Sequence, residues 1–270
     1  MALTAFQRTI CRLLADRRIA SGESYVAGGV ALNEALAAPR LSRDIDLFHD
    51  TATAVRASWE EDRRILEHDG IRVTVVRERE TFVEASLEKG GSTVLVQWAQ
   101  DSAYRFFPLV RHPDLGLLLH PFDLATNKVL ALVGRLEPRD WIDVIECDRR
   151  LQPLGYLAWA ACGKDPGFSP AAILEEAGRS SRYSAAEIAA LDFAGDPPDA
   201  GELSRRWHRI LNAARSLIPL LPAEEAGQCV LTERGELFTG DREALRVAVE
   251  QRRLRFHPGS LRGSVPRLIA

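Results

Sequence analysis

Two acidic residues two positions apart are the strongest chemical signal in the sequence. Polar and apolar residues alternate in Arg43–Phe48, which predicts a β-strand with Asp44 and Asp46 on one face. Their backbones would be roughly 7 Å apart, so the carboxylates could converge on one cation or a pair. Hard oxygen ligands with no Cys or His cluster nearby favour Mg²⁺ or Mn²⁺ over Zn²⁺. The motif therefore predicts a divalent metal site.

A double glycine precedes the acid pair. Ser24–Ala27 is a short β-prone run and Val30–Leu36 has a helical pattern, so Gly28 and Gly29 lie at a strand-to-helix turn. Such a turn directs backbone N–H groups and the positive end of the helix at phosphates, which would then lie beside the metal. An ordinary turn followed by an unrelated strand end is the alternative.

Lysine is rare enough for each one to matter. Of the 35 basic residues only Lys89, Lys128 and Lys164 are lysine. Lys128 shares a predicted helical stripe with Leu124 and Leu132, so its ammonium group leaves an otherwise apolar face. Two interpretations are open: the ammonium neutralises the phosphates of a nucleotide, or it snorkels from the helix edge into solvent.

The next predicted helix carries two more acids one turn apart, Asp140 and Asp143. Arg139 precedes Asp143 by four residues, which is the spacing of a surface ion pair on a helix. The sequence therefore leaves a catalytic role and a surface ion pair equally open for Asp143.

Composition narrows the class of protein. With 46% hydrophobic and 27% charged residues, the chain of 270 residues is typical of a soluble globular protein with one large domain or two modest ones. A net charge of −3 argues against coating nucleic acid or an anionic membrane through bulk charge. No apolar run approaches the roughly 18 residues of a membrane span. The four cysteines form no C-x-x-C pair, so a reducing cytoplasm is expected.

Periodicity predicts two parts. Residues 1–120 read as an α/β domain with a mixed sheet and flanking helices. Residues 121–270 read as mostly helical and would contribute Lys128 and Asp143 to the site. Within this second part, Cys229–Leu231 and Glu236–Phe238 are predicted to pair as a small hairpin.

Four motifs in order resemble one family. Val26–Asn33, Arg43–Phe48, Asp123–Lys128 and Arg135–Asp143 are similar to the motifs of the AbiEii/AbiGii-type toxin nucleotidyltransferases, over about residues 24–150. The resemblance implies a polymerase-β-like fold, NTP as substrate and Mg²⁺ or Mn²⁺ as cofactor. It also implies a bacterial toxin with a cognate antitoxin or a role in phage defence. Some relatives modify the acceptor end of tRNA, so tRNA or another RNA is the expected acceptor.

The resemblance also assigns roles by motif. Asp44 and Asp46 would hold the metal, Lys128 would bind phosphate and Asp143 would be the acid of the fourth motif. The nucleotide contacts would come from the glycine turn and its neighbours: Gly28, Gly29, Val30, Arg43 and Lys128.

Two positions depart from the family. Relatives usually have Ser or Thr where this chain has Val30, and many polymerase-β-like enzymes have a third carboxylate where this chain has Gln97, with Asp101 just beyond. Two other functions stay open, the first because no motif identifies the acceptor and the second because of these two departures. One is a nucleotidyltransferase acting on a small molecule or a protein, and the other is a catalytically idle nucleotide-binding module.

Overall fold

The computed structural model describes residues 3–180 and 183–266, which form two compact units. The sheet unit contains the chain up to Ala103 together with Leu109–His120 and Asp192–Ala194. The helical unit contains Tyr104–Pro108, Pro121–Leu191 and the chain from Gly195 onward. The chain therefore passes from one unit to the other several times.

The sheet unit alternates helices and strands in its first half, as the sequence predicts. Its helices are α1 (Ala5–Ser21), α2 (Gly28–Leu36) and α3 (Ala52–His68). Its strands are β1 (Ser24–Ala27), β2 (Asp44–His49), β3 (Arg72–Arg79), β4 (Phe82–Lys89), β5 (Ser92–Gln100), β7 (Val110–His112) and β8 (Gly116–Leu118).

Among the described residues these strands form one seven-stranded mixed sheet in the order β3-β4-β5-β2-β1-β8-β7. The strand that carries the acid pair, β2, lies in the middle of the sheet. It is antiparallel to β1 and parallel to β5. A central strand is held on both edges by backbone hydrogen bonds, so its side chains are positioned firmly.

The start of α1 is tied to the segment that enters β2. The Thr4 hydroxyl accepts a hydrogen bond from the Gln7 N–H at 3.2 Å, and the Gln7 side chain accepts one from the Thr4 N–H at 2.8 Å. This capping box satisfies N–H groups that the helix itself leaves without partners. The Gln7 amide also donates to the carbonyl oxygens of Ser42 and Arg43, at 2.8 and 3.1 Å. A helix cap therefore helps to fix the backbone just before the acid pair.

His49, the last residue of β2, is completely buried on the core side of the sheet. Burial lowers the pKa of the imidazole from 6.5 to about 4. The charges of Arg18 and Arg17 act in the same direction, and a hydrogen bond with the Ala99 carbonyl opposes them. The folded protein therefore keeps this histidine neutral at a pH where an unfolded chain would protonate it.

We expect acid to destabilise the fold through His49. Below pH 6.5 the unfolded chain binds a proton that the folded chain refuses until about pH 4, so the free energy of unfolding falls as the pH falls through this window. The loss should reach about 2 kcal/mol near pH 5. Urea unfolding at neutral and mildly acidic pH measures it. His49→Asn cannot titrate and should show a shallower pH dependence; an unchanged dependence would contradict this assignment.

The helical unit contains the remaining elements. Its helices are α4 (Pro121–Arg135), α5 (Pro138–Arg150), α6 (Leu154–Ala161), α7 (Pro170–Gly178), α8 (Ala185–Ala189), α9 (Ala200–Leu217) and α10 (Arg242–Glu250). Its short strands are β6 (Tyr104–Arg105), β9 (Cys229–Thr232), β10 (Leu254–His257) and β11 (Ser260–Leu261). Along residues 3–180 and 183–266 no helix is both long and apolar enough to cross a lipid bilayer.

The hairpin predicted from Cys229–Leu231 and Glu236–Phe238 is confirmed as a short one, in which the Phe238 N–H donates to the Val230 carbonyl at 3.1 Å and the Thr232 N–H to the Glu236 carbonyl at 2.8 Å. β9 pairs along its whole length with β10, and only a single bridge joins Leu231 to Leu237. The longer ladder forms more backbone hydrogen bonds, and it brings the partly buried Leu254 and Phe256 against the apolar cluster around Val230. The local hairpin therefore forms, and β9 has a second, longer partner from beyond α10.

Candidate metal and phosphate site

The two acids of β2 project from the same face of the sheet. Asp44 and Asp46 are half-buried, whereas the intervening Ile45 and the following Leu47 are each 1% exposed. The alternation predicted from the sequence is therefore confirmed. The core fixes the strand through its apolar face, and the carboxylates occupy the opposite face.

The double glycine lies directly against this face. β1 ends at Ala27, which is the register partner of Asp46, and α2 begins at Gly28. Gly28 has a φ of 64°, and a methyl group placed on it would lie 1.8 Å from Oδ2 of Asp46. Only glycine allows the carboxylate and the start of the helix to approach so closely. The structure thus brings the predicted metal ligand to the predicted phosphate turn.

We expect Gly28→Ala to displace the Asp46 carboxylate and weaken divalent-cation binding. The methyl group would overlap Oδ2, and alanine is also strained at a positive φ. Gly22→Ala is a matched control because Gly22 has a φ of 67° with nothing within 4 Å of the added methyl group. Titration with Mn²⁺ and urea unfolding of both variants separate the two effects. Equal Mn²⁺ affinity in the two variants would rule out the contact as a determinant of the site.

Two residues that the sequence reasoning missed lie against Gly29. A methyl group on Gly29 would be 2.7 Å from Nη2 of Arg40 and 2.9 Å from Oγ of Ser42. Arg40 is only 5% exposed, so a buried guanidinium group and a hydroxyl group flank the glycine turn. Their spacing could have indicated them, because Arg40 and Ser42 occupy the two alternate positions that precede Asp44 and Asp46.

Val30 does not offer its side chain to the site. It is completely buried in the first turn of α2, at the position where the motif that the sequence resembles has a hydroxyl residue. Any nucleotide contact from Val30 is therefore limited to its backbone. The hydroxyl group of Ser42 lies beside the neighbouring glycine instead.

Arg43 is held by a short segment from later in the chain. Its guanidinium group binds the Asp192 carboxylate, with Nη2 3.2 Å from Oδ1, and it keeps the pKa of that carboxyl below its ordinary value. The backbone of the same segment pairs with the residues before β2, through Leu41 N–H to the Asp192 carbonyl at 2.8 Å. Arg43 is thus anchored next to the acid pair. Its contact with a nucleotide stays a prediction.

Lys128 and the acids of α5 form a buried ion cluster in the helical unit. The Lys128 ammonium group lies 2.8 Å from Oδ1 of Asp140 and 3.0 Å from Oδ2 of Asp143. Lys128 is 8% exposed, and the two aspartates are 0% and 1% exposed. Arg135 adds a second cation, 2.8 Å from Asp140. Two cations and two anions leave the cluster without net charge.

This cluster excludes the structural alternatives that the sequence left open for Lys128 and for Asp143. Lys128 does not snorkel into solvent, because its ammonium group binds buried carboxylates. Asp143 is not half of a surface ion pair with Arg139, since it is buried and Arg139 pairs with Glu137 at 2.7 Å. The roles of Lys128 and Asp143 in catalysis stay predictions.

The two carboxylates of β2 suit a cation that is bound together with a phosphate group. Within residues 3–180 and 183–266 no group of three or more His, Cys, Asp or Glu side chains could hold a metal on its own. Mg²⁺ is usually bound by one or two carboxylates together with substrate phosphates and water. Asp44 and Asp46 beside a glycine turn fit that pattern.

No family of known proteins matches the chain, and no curated protein matches its sequence. Solved structures do match it. A candidate nucleotidyltransferase from H. pylori matches with a TM-score of 0.52 and 15% identity, covering 80% of this chain and 94% of its own. JHP933 from Helicobacter pylori matches with a TM-score of 0.51 and 14% identity, covering 78% and 90%.

A third structure is MenT4, a nucleotidyltransferase toxin from Mycobacterium tuberculosis. It matches with a TM-score of 0.50 and 13% identity, covering 81% of this chain and 83% of its own. At such identities the likeness concerns the fold alone. The fold predicted from the motifs, a nucleotidyltransferase mixed sheet of the polymerase-β type with flanking helices, is confirmed.

Proposed function

We propose that this chain is a divalent-metal-dependent nucleotidyltransferase, which transfers a nucleotide from an NTP to an acceptor hydroxyl and releases pyrophosphate. The observation that carries the proposal is the contact between the Asp46 carboxylate and Gly28 at the start of α2. It puts a ligand suited to Mg²⁺ or Mn²⁺ beside a helix end suited to phosphate. A triphosphate and its cation need both at one place.

In this mechanism the acceptor oxygen forms a bond to the α-phosphorus while the bond to the bridging oxygen of the leaving pyrophosphate breaks. Asp44 and Asp46 would hold the cation, which supplies stabilisation of the charge on the attacking and leaving oxygens when bound. The N–H groups at the start of α2 would orient the phosphates. Arg40 and Ser42, which flank Gly29, would add a charged and a neutral donor.

We also propose Lys128, on α4, as a phosphate-binding residue. In this proposal Asp143 acts on the lysine rather than on the nucleotide, since its carboxylate lies 3.0 Å from the ammonium group. A lysine held between two aspartates keeps a fixed direction, which a phosphate contact requires.

For the acceptor we propose RNA, with tRNA as the first candidate, and for the biological role a toxin paired with an antitoxin in the bacterial cytoplasm. The support is the motif order and the fold shared with MenT4, itself a nucleotidyltransferase toxin. The arginine-rich C-terminal region adds little support. Arg246 lies between Glu243 and Glu250, and Arg253 pairs with Glu233, so acids neutralise these charges.

The test is an incubation of the protein with each α-labelled NTP, Mg²⁺ and total bacterial tRNA. Transfer of label to RNA, lost when Mg²⁺ is chelated, is the expected result. Absence of transfer with all the NTPs would contradict the proposed activity. Label that appears on protein or small molecules without RNA would support the other acceptor class.

The idle nucleotide-binding module is the second candidate, favoured by the buried side chain of Val30. It differs from the enzyme in one measurable respect. An idle module would bind NTP with no turnover, and Asp44→Ala would leave that binding unchanged.

A further inference from the structure

On the face of the sheet that carries the acid pair, polar side chains also lie on the two neighbouring strands, β5 and β4. On β5, Gln97 is the register partner of Asp46, and on β4, Glu84 is the register partner of Gln97. Partners in adjacent strands lie on the same face, about 5 Å apart. Asp46, Gln97 and Glu84 therefore form one row, here called the polar row, and all three are half-buried.

The neighbouring row lacks such an arrangement. It starts at Asp44, continues to Leu95 on β5 and ends at Ser86 on β4. An apolar side chain thus lies next to Asp44, whereas an amide lies next to Asp46. This difference directs attention to Asp46, the acid that contacts the glycine turn.

A hydrogen bond fixes the orientation of the Gln97 amide. Its Nε2 donates to Oε1 of Glu84 at 2.9 Å. An ionised carboxylate only accepts hydrogen bonds, and only the NH₂ end of an amide donates them, so Glu84 selects that end. The carbonyl oxygen Oε1 is then the end of the amide turned away from Glu84, and Asp46 is the neighbour of Gln97 on the other side of β5.

We propose that Oε1 of Gln97 is a ligand of the divalent cation held by Asp46, and that Glu84 is the positioning residue that orients this oxygen. The inference rests on the proposed function, because it requires a cation at the acid pair. An amide oxygen is a hard ligand of the kind that Mg²⁺ and Mn²⁺ accept. It fills the place of a third carboxylate without adding a negative charge.

The charge balance has a functional meaning. Two carboxylates and a neutral oxygen bind a bare cation more weakly than three carboxylates do, because less negative charge faces it. The phosphates of an NTP supply the missing charge. The protein alone should therefore bind the cation measurably but more weakly than it does with the nucleotide present.

The experiment is a Mn²⁺ titration followed by electron paramagnetic resonance, which detects binding without requiring activity. The proteins are the wild-type chain, Gln97→Leu, Glu84→Met and the double variant, each checked for folding by circular dichroism. Gln97→Leu removes the oxygen without changing charge, and we expect binding about tenfold weaker. Gln97→Met serves the same purpose if the leucine variant does not fold.

The double variant separates positioning from simple electrostatics. If Glu84 acts only through Gln97, the double variant binds Mn²⁺ no more weakly than Gln97→Leu alone. If Glu84 acts through its charge, the two losses add, and its positioning role is overturned. Ser86→Met on the neighbouring row is the control and should bind as the wild type does.

Two failures are distinguishable. A wild-type chain that binds no Mn²⁺ sensitive to Asp44→Asn would overturn the metal site and this inference together. Mn²⁺ binding that Asp44→Asn abolishes but Gln97→Leu leaves unchanged would overturn the inference alone and leave the proposed enzyme intact.

Discussion

Asp44→Asn and Asp46→Asn should each lower the rate of nucleotide transfer by about a thousandfold, which corresponds to about 4 kcal/mol of lost transition-state stabilisation. Asparagine keeps the size of the side chain but removes the charge that holds the cation. Both acids project from the open face of a central strand, so the core beneath them stays intact. Transfer of α-labelled NTP to the acceptor measures the effect.

The control for this prediction is Asp16→Asn. Asp16 is an exposed residue of α1, so the variant removes the same charge from the same unit without touching β2. It should transfer nucleotide at the wild-type rate. Full activity in Asp44→Asn would show that the acid pair is not the metal site, whatever the activity of the control.

Lys128→Met should lower the free energy of unfolding by about 3 to 5 kcal/mol, the usual cost of breaking a buried ion pair on one side. The substitution leaves two buried carboxylates, Asp140 and Asp143, with Arg135 as the nearby cation that binds one of them. Urea unfolding followed by tryptophan fluorescence measures the loss. Asp143→Asn in the same background should recover part of it, because it removes a buried carboxylate that has lost its contact with the ammonium group.

Lys89→Met is the matched control. Lys89 also forms an ion pair, 2.7 Å from Asp69, but both side chains are more than 40% exposed. Exposed pairs contribute about 0 to 1 kcal/mol, so the same substitution should cost little there. A similarly small loss for Lys128→Met would mean that the buried cluster does not stabilise the fold.

Because the stability of the fold is expected to depend on Lys128, the activity of Lys128 variants has to be interpreted together with their stability. A variant that loses activity because the helical unit unfolds says nothing about phosphate. Activity should therefore be compared only between variants whose unfolding curves show a folded population under assay conditions. The proposed phosphate contact then predicts a weaker apparent affinity for NTP.

The parts of the site that could be predicted from the sequence depend on short-range patterns. Alternation identified the acids of β2 because one face of that strand is core. Glycine chemistry identified the turn at Gly28, and helical spacing drew attention to Lys128. Each signal acts within a few residues, which is the range over which periodicity is informative.

The parts that could not be predicted depend on register between distant strands. The hairpin turn at Gly90-Gly91 sets Glu84 opposite Gln97, but nothing in the sequence placed Gln97 beside Asp46, because β2 and β5 are far apart along the chain. The contact of Arg40 with Gly29 could not be predicted either, because Arg40 belongs to the segment between α2 and β2, which has no periodic pattern. The second partner of β9, β10, was missed for the same reason, since α10 separates the two strands in the sequence. Tertiary packing, not local preference, decides such pairings.

The repeated passage of the chain between its units limits how this protein can be divided. A fragment ending near residue 120 would lack Asp192–Ala194, and with it the carboxylate that binds Arg43 and the carbonyl that binds Leu41. A fragment starting there would lack Tyr104–Pro108, whose Phe106 and Phe107 amides donate to the buried Asp123. A single cut near residue 120 therefore removes part of each unit, so a fragment meant to contain one whole unit needs pieces from more than one stretch of the chain.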